Sequence, residues 1–233
     1  MRAQKLSHNF QKDFFEQDSW ETNDYSCGID EVGRGCLSGP LVVAAAILPH
    51  NASHPLLKDS KVLTERERET AYHWIVSNCF YATAYASAHD VDSYNIYNAT
   101  LRSMNKACIS LFEKVPYVAQ RLKYILVDAM PIFIESSRVP DSVKIYYFNK
   151  GESKSRSIAA ASIVAKVTRD CLMKKMARFF PAFAFEKHKG YGTKNHMNAL
   201  HLNGLSLVHR KTFIHNIGKK DEVDGEQCNA TIF

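Results

Sequence analysis

Apolar and polar positions along the chain follow two periods, and the places where the period changes outline its elements. Tyr25–Val32 (YSCGIDEV) is a mostly apolar run entering the turn Gly33–Gly35. Leu41–Leu48, rich in Val and Ala and bounded by Pro40 and Pro49, reads as its fully buried partner strand. Phe80–Ser87 alternates large and small residues, and Val143–Phe148 has a similar strand-like make-up. Tyr124–Val127 is a short apolar strand ending at Asp128. Helical patterns lie between these segments. Thr64 followed by Glu67 has the form of a capping box and predicts a helix to about Asn78. A longer helix is predicted over Asp92–Lys114, stopping before Pro116. The strongest helical pattern is Ser157–Phe180, which opens with the small-residue run IAAASIVAK; Asn195–His201 is a shorter one. Strands come first and then alternate with helices, which predicts an α/β fold with a mixed central sheet flanked by helices.

Residues 1–24 are polar with scattered aromatics and read as a loose N-terminal arm or a short helix. Residues 25–215 form the expected domain, and 216–233 the expected flexible tail. A chain of 233 residues can bury a full core without cross-links. Its longest apolar run is far short of the roughly 18–20 residues of a membrane span, and the N-terminus has no apolar signal segment. The expectation is a soluble cytoplasmic protein independent of membranes. The six cysteines include no CxxC pair, which disfavours structural zinc, and Cys79 and Cys108 sit in apolar surroundings as small buried residues would.

Charge sharpens this picture. The chain carries +6 overall, yet residues 150–220 hold fifteen Lys and Arg against Glu152, Asp170 and Glu186. That third alone is +12, so the rest must carry −6. Clustered cations suit a polyanion such as nucleic acid, although a solvated basic face would give the same arithmetic.

Candidate chemistry sits where this pattern is broken. Asp30 and Glu31 end an apolar strand, and Asp128 ends another. A carboxylate at the end of a buried strand is costly unless it is solvated, paired or bound to a cation. Several such ends together would make an oxygen-donor site for Mg²⁺ or Mn²⁺. Singly, each acid is better explained as capping a turn or pairing with a lysine. Gly33-Arg34-Gly35 lets main-chain N–H groups approach an anion closely. In His188–His196 (HKGYGTKNH), Tyr191 lies between two glycines and among lysines and histidines, as a stacking surface beside a phosphate path would. Zinc ligation by those histidines lacks an accompanying cysteine or acid.

The segments CGIDEVGRGCLSGPLVVAAAIL, LKDSKVLTERERE, YILVDA, KGESKSRSIAAASIVAKVTRD and HKGYGTKNH, in that order, resemble the type 2 ribonucleases H, and among them bacterial ribonuclease HII. The likeness spans about residues 25–213, and it implies a monomer. It implies a ribonuclease H-like fold with a C-terminal helical portion, and cleavage of the RNA strand of RNA–DNA hybrids and at single ribonucleotides embedded in duplex DNA. It implies four acids holding two catalytic ions, Mg²⁺ or Mn²⁺. Asp30, Glu31 and Asp128 match directly. Glu152 stands in KGES where the family usually has Asp, a departure reminiscent of ribonuclease HIII, and Asp170 is the alternative fourth acid. The Arg of DEVGRG and the short arm before Tyr25 separate the chain from ribonuclease HIII.

By the same resemblance, main-chain groups of Gly33, Arg34 and Gly35 contact the 2′-hydroxyl, and Tyr191 stacks on the following deoxyribose. Lys61, Lys189 and Lys194 are candidate phosphate contacts. The expected reaction leaves a 3′-hydroxyl and a 5′-phosphate, as ribonucleotide excision repair requires. Two other readings stay open on sequence: a nucleic-acid binder that has lost its chemistry, and a nuclease acting on DNA alone. Four retained acids disfavour the first, and the Gly-Arg-Gly turn with Tyr191 disfavours the second.

Overall fold

The computed structural model describes residues 2–6, 10–134, 137 and 139–214. Its strands are β1 (Gln4–Lys5), β2 (Tyr25–Val32), β3 (Leu41–Ile47), β4 (Phe80–Ala86), β5 (Leu122–Asp128) and β6 (Lys144–Phe148). They form one sheet in the order β1-β6-β5-β2-β3-β4. β2, β3 and β4 pair antiparallel, whereas β5 runs parallel to both β2 and β6, and β1 parallel to β6. The expected mixed α/β sheet is therefore present.

The chain also forms α1 (Phe14–Glu21), α2 (Glu65–Asn78), α3 (Ala88–Lys114), α4 (Pro116–Ala119), α5 (Gly151–Lys154), α6 (Arg156–Ala177), α7 (Phe185–His188), α8 (Lys194–Asn203) and α9 (Lys211–Ile214). No described helix is long and apolar enough to cross a membrane. The tail expected at 216–233 lies outside the described residues.

β3 reads as a continuous apolar run because both of its faces are covered. Leu41, Val43, Ala45 and Ile47 belong to the core that includes Ala107, Leu111 and Phe112 of α3. Val42, Ala44 and Ala46 belong to the core that includes Ala160, Ile163 and Val164 of α6. The small residues of α6 let it lie almost against the sheet. At Gly28 in β2, a Cβ would stand 2.1 Å from the Ser157 carbonyl carbon and 2.3 Å from the Ile158 nitrogen. This contact sets the height of α6, and of the segment preceding it, above the strand ends.

One expectation is revised, and of two alternatives for the N-terminal segment one is realised. The helix predicted from Asp92 begins at Ala88, where Ser87 and Asp90 form a capping box. It breaks at Asn95 (φ 61°, ψ 162°), whose Oδ1 accepts from the Asn98 N–H at 3.0 Å and so restarts the helix. The N-terminal segment contains a real helix, α1. Phe15 packs edge-on to Tyr124, and Glu16 accepts from Ser155 Oγ at 2.5 Å and from Ser157 N–H at 2.9 Å. Asp13 pairs with Arg156 at 2.6 Å, so α1 and the residue before it cap the start of α6. Short α7 and α8 gather with the end of α6 around Met173, Phe183, Phe185 and Leu200, forming a C-terminal helical portion.

Gly28→Ala is expected to lower stability by about 3 kcal/mol, because two main chains would have to separate. Urea unfolding of the variant beside the unaltered protein measures this.

Candidate active site

Parallel pairing decides where the first two carboxylates go. Ile29 of β2 is in register with Val127 of β5, so Asp30 and Asp128 are the next residues on neighbouring strands. Their side chains leave the sheet on one face, the face covered by α6. Asp30 is buried at 6% exposure; it accepts a bond from Ser162 of α6 and one from the Glu31 N–H at 2.7 Å. Ser162 in turn bonds Ser60 at 2.9 Å. Asp128 Oδ1 accepts from the Gly151 N–H at 2.7 Å, which ties the end of β5 to α5. That contact brings in Glu152, the next residue, buried at 4%. Glu152 Oε1 accepts from Lys61 Nζ at 3.0 Å, and Glu31 Oε1 pairs with Arg34 at 3.4 Å. The second oxygens of Glu31 and Glu152 are buried with no hydrogen-bond partner.

Ionisation is costly here. Burial, and then the charges of Glu31 and Asp128, hold the Asp30 carboxyl well above the usual carboxylate range. Burial and Asp128 push Glu31 up to about 7, against the pull of Arg34. Asp128 is raised by burial and by Glu152, while the Gly151 N–H and Lys61 work in the opposite direction. Lys61 is raised, chiefly by its bond to Glu152. Its ammonium is the cation standing beside Glu152.

Among the described residues, no three His, Cys, Asp or Glu side chains are arranged to hold a metal ion as they stand. The donor set nevertheless fits a hard divalent cation by its chemistry. It consists of carboxylate oxygens, two of them buried without a partner, in a site whose acids raise one another's pKa. Asp170 lies apart from that pattern, bonded to Lys166 one turn earlier on α6 at 2.9 Å.

The Gly33–Gly35 turn follows directly. Gly33 has φ +97°, and a Cβ there would meet Arg169 Nε at 2.2 Å. Arg169 and Arg210 are fully buried. Arg169 donates to the carbonyls of Pro40 (2.8 Å), Ser38 (3.1 Å) and Lys189 (2.8 Å). Arg210 donates to those of Arg34 (2.8 Å) and Gly39 (3.0 Å). These bonds join the turn to the segment carrying Tyr191. The Tyr191 ring is 40% exposed and lies 5.7 Å from both Lys166 Nζ and the Arg169 guanidinium carbon. Lys189 folds back to donate to the Glu186 carbonyl, and Lys194 is exposed at the start of α8.

The sequence pattern did not single out Ser162, Arg169, Arg210 or His209. Arg169 had a readable signal. It lies seven residues after Ser162 and four before Met173, on the buried stripe of α6, where an unpaired Arg would not be tolerated.

A sheet of this order with carboxylates at the ends of adjacent parallel strands defines a protein of the ribonuclease H-like class. Ribonuclease H2 from Pyrococcus horikoshii superposes with TM-score 0.58 at 24% identity, covering 81% of this chain and 93% of that one. Bst-RNase HIII, solved in complex with Mn²⁺, gives 0.59 at 19% identity over 84% and 76% of the two chains. The ribonuclease HII family model matches residues 27–216. A ribonuclease HII of Ligilactobacillus salivarius is 42% identical over 200 residues, 85% of this chain and 73% of its own length. The chain belongs to the ribonuclease HII family of type 2 ribonucleases H, enzymes that cleave the RNA strand of RNA–DNA hybrids.

Glu31→Gln is expected to stabilise the metal-free protein by on the order of 2 kcal/mol at pH 8. The ionised Glu31 opposes folding fully above about pH 7, and that cost disappears as pH falls to its ordinary 4.5. The advantage of Gln should therefore fade over that window in denaturant melts at a series of pH values.

Proposed function

We propose that this enzyme cuts on the 5′ side of single ribonucleotides embedded in duplex DNA, as well as within the RNA of hybrids, by two-metal-ion catalysis. Asp30, Glu31, Asp128 and Glu152 hold the ions. The observation that carries this reading is the gathering of these four acids at two adjoining strand ends, Asp30 and Glu152 buried there, with partnerless oxygens on Glu31 and Glu152. Glu152 is preferred to Asp170 as the fourth ligand because it follows Gly151, which bonds Asp128, its charge acts on Asp128, and its second oxygen is buried without a partner. When bound, Mg²⁺ or Mn²⁺ supplies Lewis acidity, lowering the pKa of a water and offsetting charge on the departing 3′-oxygen.

The protein's own groups do the rest. The four carboxylates would hold the ions in a site whose burial otherwise favours protonation of Asp30, Glu31 and Asp128. Lys61 leaves Glu152 for a phosphate oxygen of the substrate. The Gly33-Arg34-Gly35 turn offers its main chain to the 2′-hydroxyl, the group that separates RNA from DNA at one position. Tyr191 stacks against the next deoxyribose, so that the turn and the ring together select a junction from RNA to DNA. Lys189 and Lys194 contact phosphates and add affinity without sequence preference. The products carry a 3′-hydroxyl and a 5′-phosphate.

The test uses a DNA duplex with one ribonucleotide beside an all-DNA duplex, each with Mn²⁺ or Mg²⁺. Cleavage of the first alone, with a 5′-phosphate on the ribonucleotide fragment, is expected; cleavage of both, or of neither, overturns the proposal. Asp128→Asn is expected to lose cleavage by more than about a hundredfold while duplex binding survives. Mn²⁺ at about 100 times its Kd should stabilise the unaltered protein by about 2.7 kcal/mol, and Asp128→Asn much less.

A further inference from the structure

Three histidines lie behind Tyr191, all nearly closed to solvent: His188 at 9%, His196 at 0% and His209 at 2% exposure. His188 and His196 stack with ring centroids 4.4 Å apart, and Phe183 and Phe185 pack against the set. Every ring nitrogen has a partner. His188 Nε2 is 2.7 Å from the Phe183 carbonyl, and its Nδ1 is 3.2 Å from the Gly190 N–H. His196 Nδ1 is 2.9 Å from the Tyr191 carbonyl, and its Nε2 is 3.0 Å from His209 Nε2. His209 Nδ1 is 2.9 Å from the Ser206 nitrogen, whose N–H donates to it, and 2.7 Å from Ser206 Oγ.

These partners fix the protons, because a carbonyl can only accept and an amide N–H can only donate. His188 must be protonated on Nε2 and His196 on Nδ1. His196 Nε2 is then bare and takes its bond from a proton on His209 Nε2, and His209 Nδ1 is bare and accepts from Ser206. One assignment satisfies all six nitrogens, and it exists only with all three rings neutral. With every nitrogen engaged, the trio leaves no lone pair free for zinc.

We infer that His209 and His196 are positioning residues for Tyr191, linked as a one-directional relay from the Ser206 N–H through both rings to the Tyr191 carbonyl. The relay fixes the main chain from which the phenol projects. The inference rests on the reading that Tyr191 contacts the sugar beyond the ribonucleotide. A second proton on His196 would set two N–H groups face to face across 3.0 Å, and one on His209 would face the Ser206 N–H across 2.9 Å.

The surroundings favour the neutral rings. Burial comes first for each, and the histidines oppose one another's charge; His209 is pushed down to about 4. Around His188, Glu186 favours protonation and Lys189 opposes it. The groups acting on His209 are the other two histidines and Ser206, and those acting on His196 are His188 and the Tyr191 carbonyl. Because the folded pKa values lie below the unfolded one of about 6.5, the relay's stability is complete above that pH and declines as pH falls toward 4.

Nitrogen-resolved NMR of the imidazoles in the full chain tests the relay directly. The expected result at pH 7.5 is Nε2–H on His188 and His209 and Nδ1–H on His196, unchanged at pH 5.5. Reversed tautomers, or three rings titrating near 6.5, would overturn the relay. Its functional role is read from the rate on a single-ribonucleotide duplex relative to that on a continuous hybrid. His209→Leu should lower that ratio about tenfold, the effect of one lost buried hydrogen bond. His209→Gln, whose amide N–H can still donate to His196, should recover most of it.

Tyr191→Ala is the reference. An unchanged ratio there faults the reading of Tyr191, and the tautomers alone then decide the relay. A changed ratio in Tyr191→Ala with none in folded His209→Leu refutes the positioning role. If His209→Leu does not fold, the decision passes to His209→Gln: a ratio near the unaltered enzyme's supports the role, and a loss as large as that of Tyr191→Ala refutes it.

Discussion

The electrostatic strain among buried carboxylates governs the rest of this architecture. Asp30 and Asp128 emerge side by side because β2 and β5 are parallel and in register. Asp128 raises the cost of ionising Asp30, Glu152 raises that of Asp128, and burial adds to both. Such an arrangement survives only if the surrounding main chain prevents the acids from turning out to water. Here the fold holds them through hydrogen bonds to parts of the chain that packing already fixes. Ser162 is on α6, which lies against Gly28, and Gly151 begins the helix next to it. The stability lost at the strand ends is offset by the two apolar cores on either side of β3.

The same logic explains the capping of α6. Its first turn carries no acidic residue of its own, so the exposed N–H groups need acceptors from elsewhere. Asp13 and Glu16 provide them from the N-terminal segment. A stretch that reads as a loose arm or a short helix thus supports the helix following Glu152, and the position of Glu152 depends on residues more than a hundred places earlier in the chain.

Much of this was legible from the residues in order. β2 and β3 announce themselves by apolar runs between turn residues, α2 by Thr64 and Glu67, and α6 by its small-residue stripe. Asp30, Glu31 and Asp128 stood out because ionisable groups end apolar strands. What was hidden depends on distant contacts. The break at Asn95 leaves the hydrophobic spacing of α3 nearly unchanged, so periodicity runs through it. Arg210 lies in a short irregular segment with no stripe to betray its burial, and its partners are 171 and 176 positions away. The burial of Glu152 follows from the bond between Gly151 and Asp128, which no local pattern encodes.

The inward carbonyl of Arg34 has one more consequence. A trans peptide holds its C=O and N–H on opposite sides of a rigid plane. Because Arg210 draws the Arg34 carbonyl toward the interior, the Gly35 N–H is turned the other way, toward the surface of the turn. A guanidinium group that never reaches the surface thereby aims a donor of the loop above it outward.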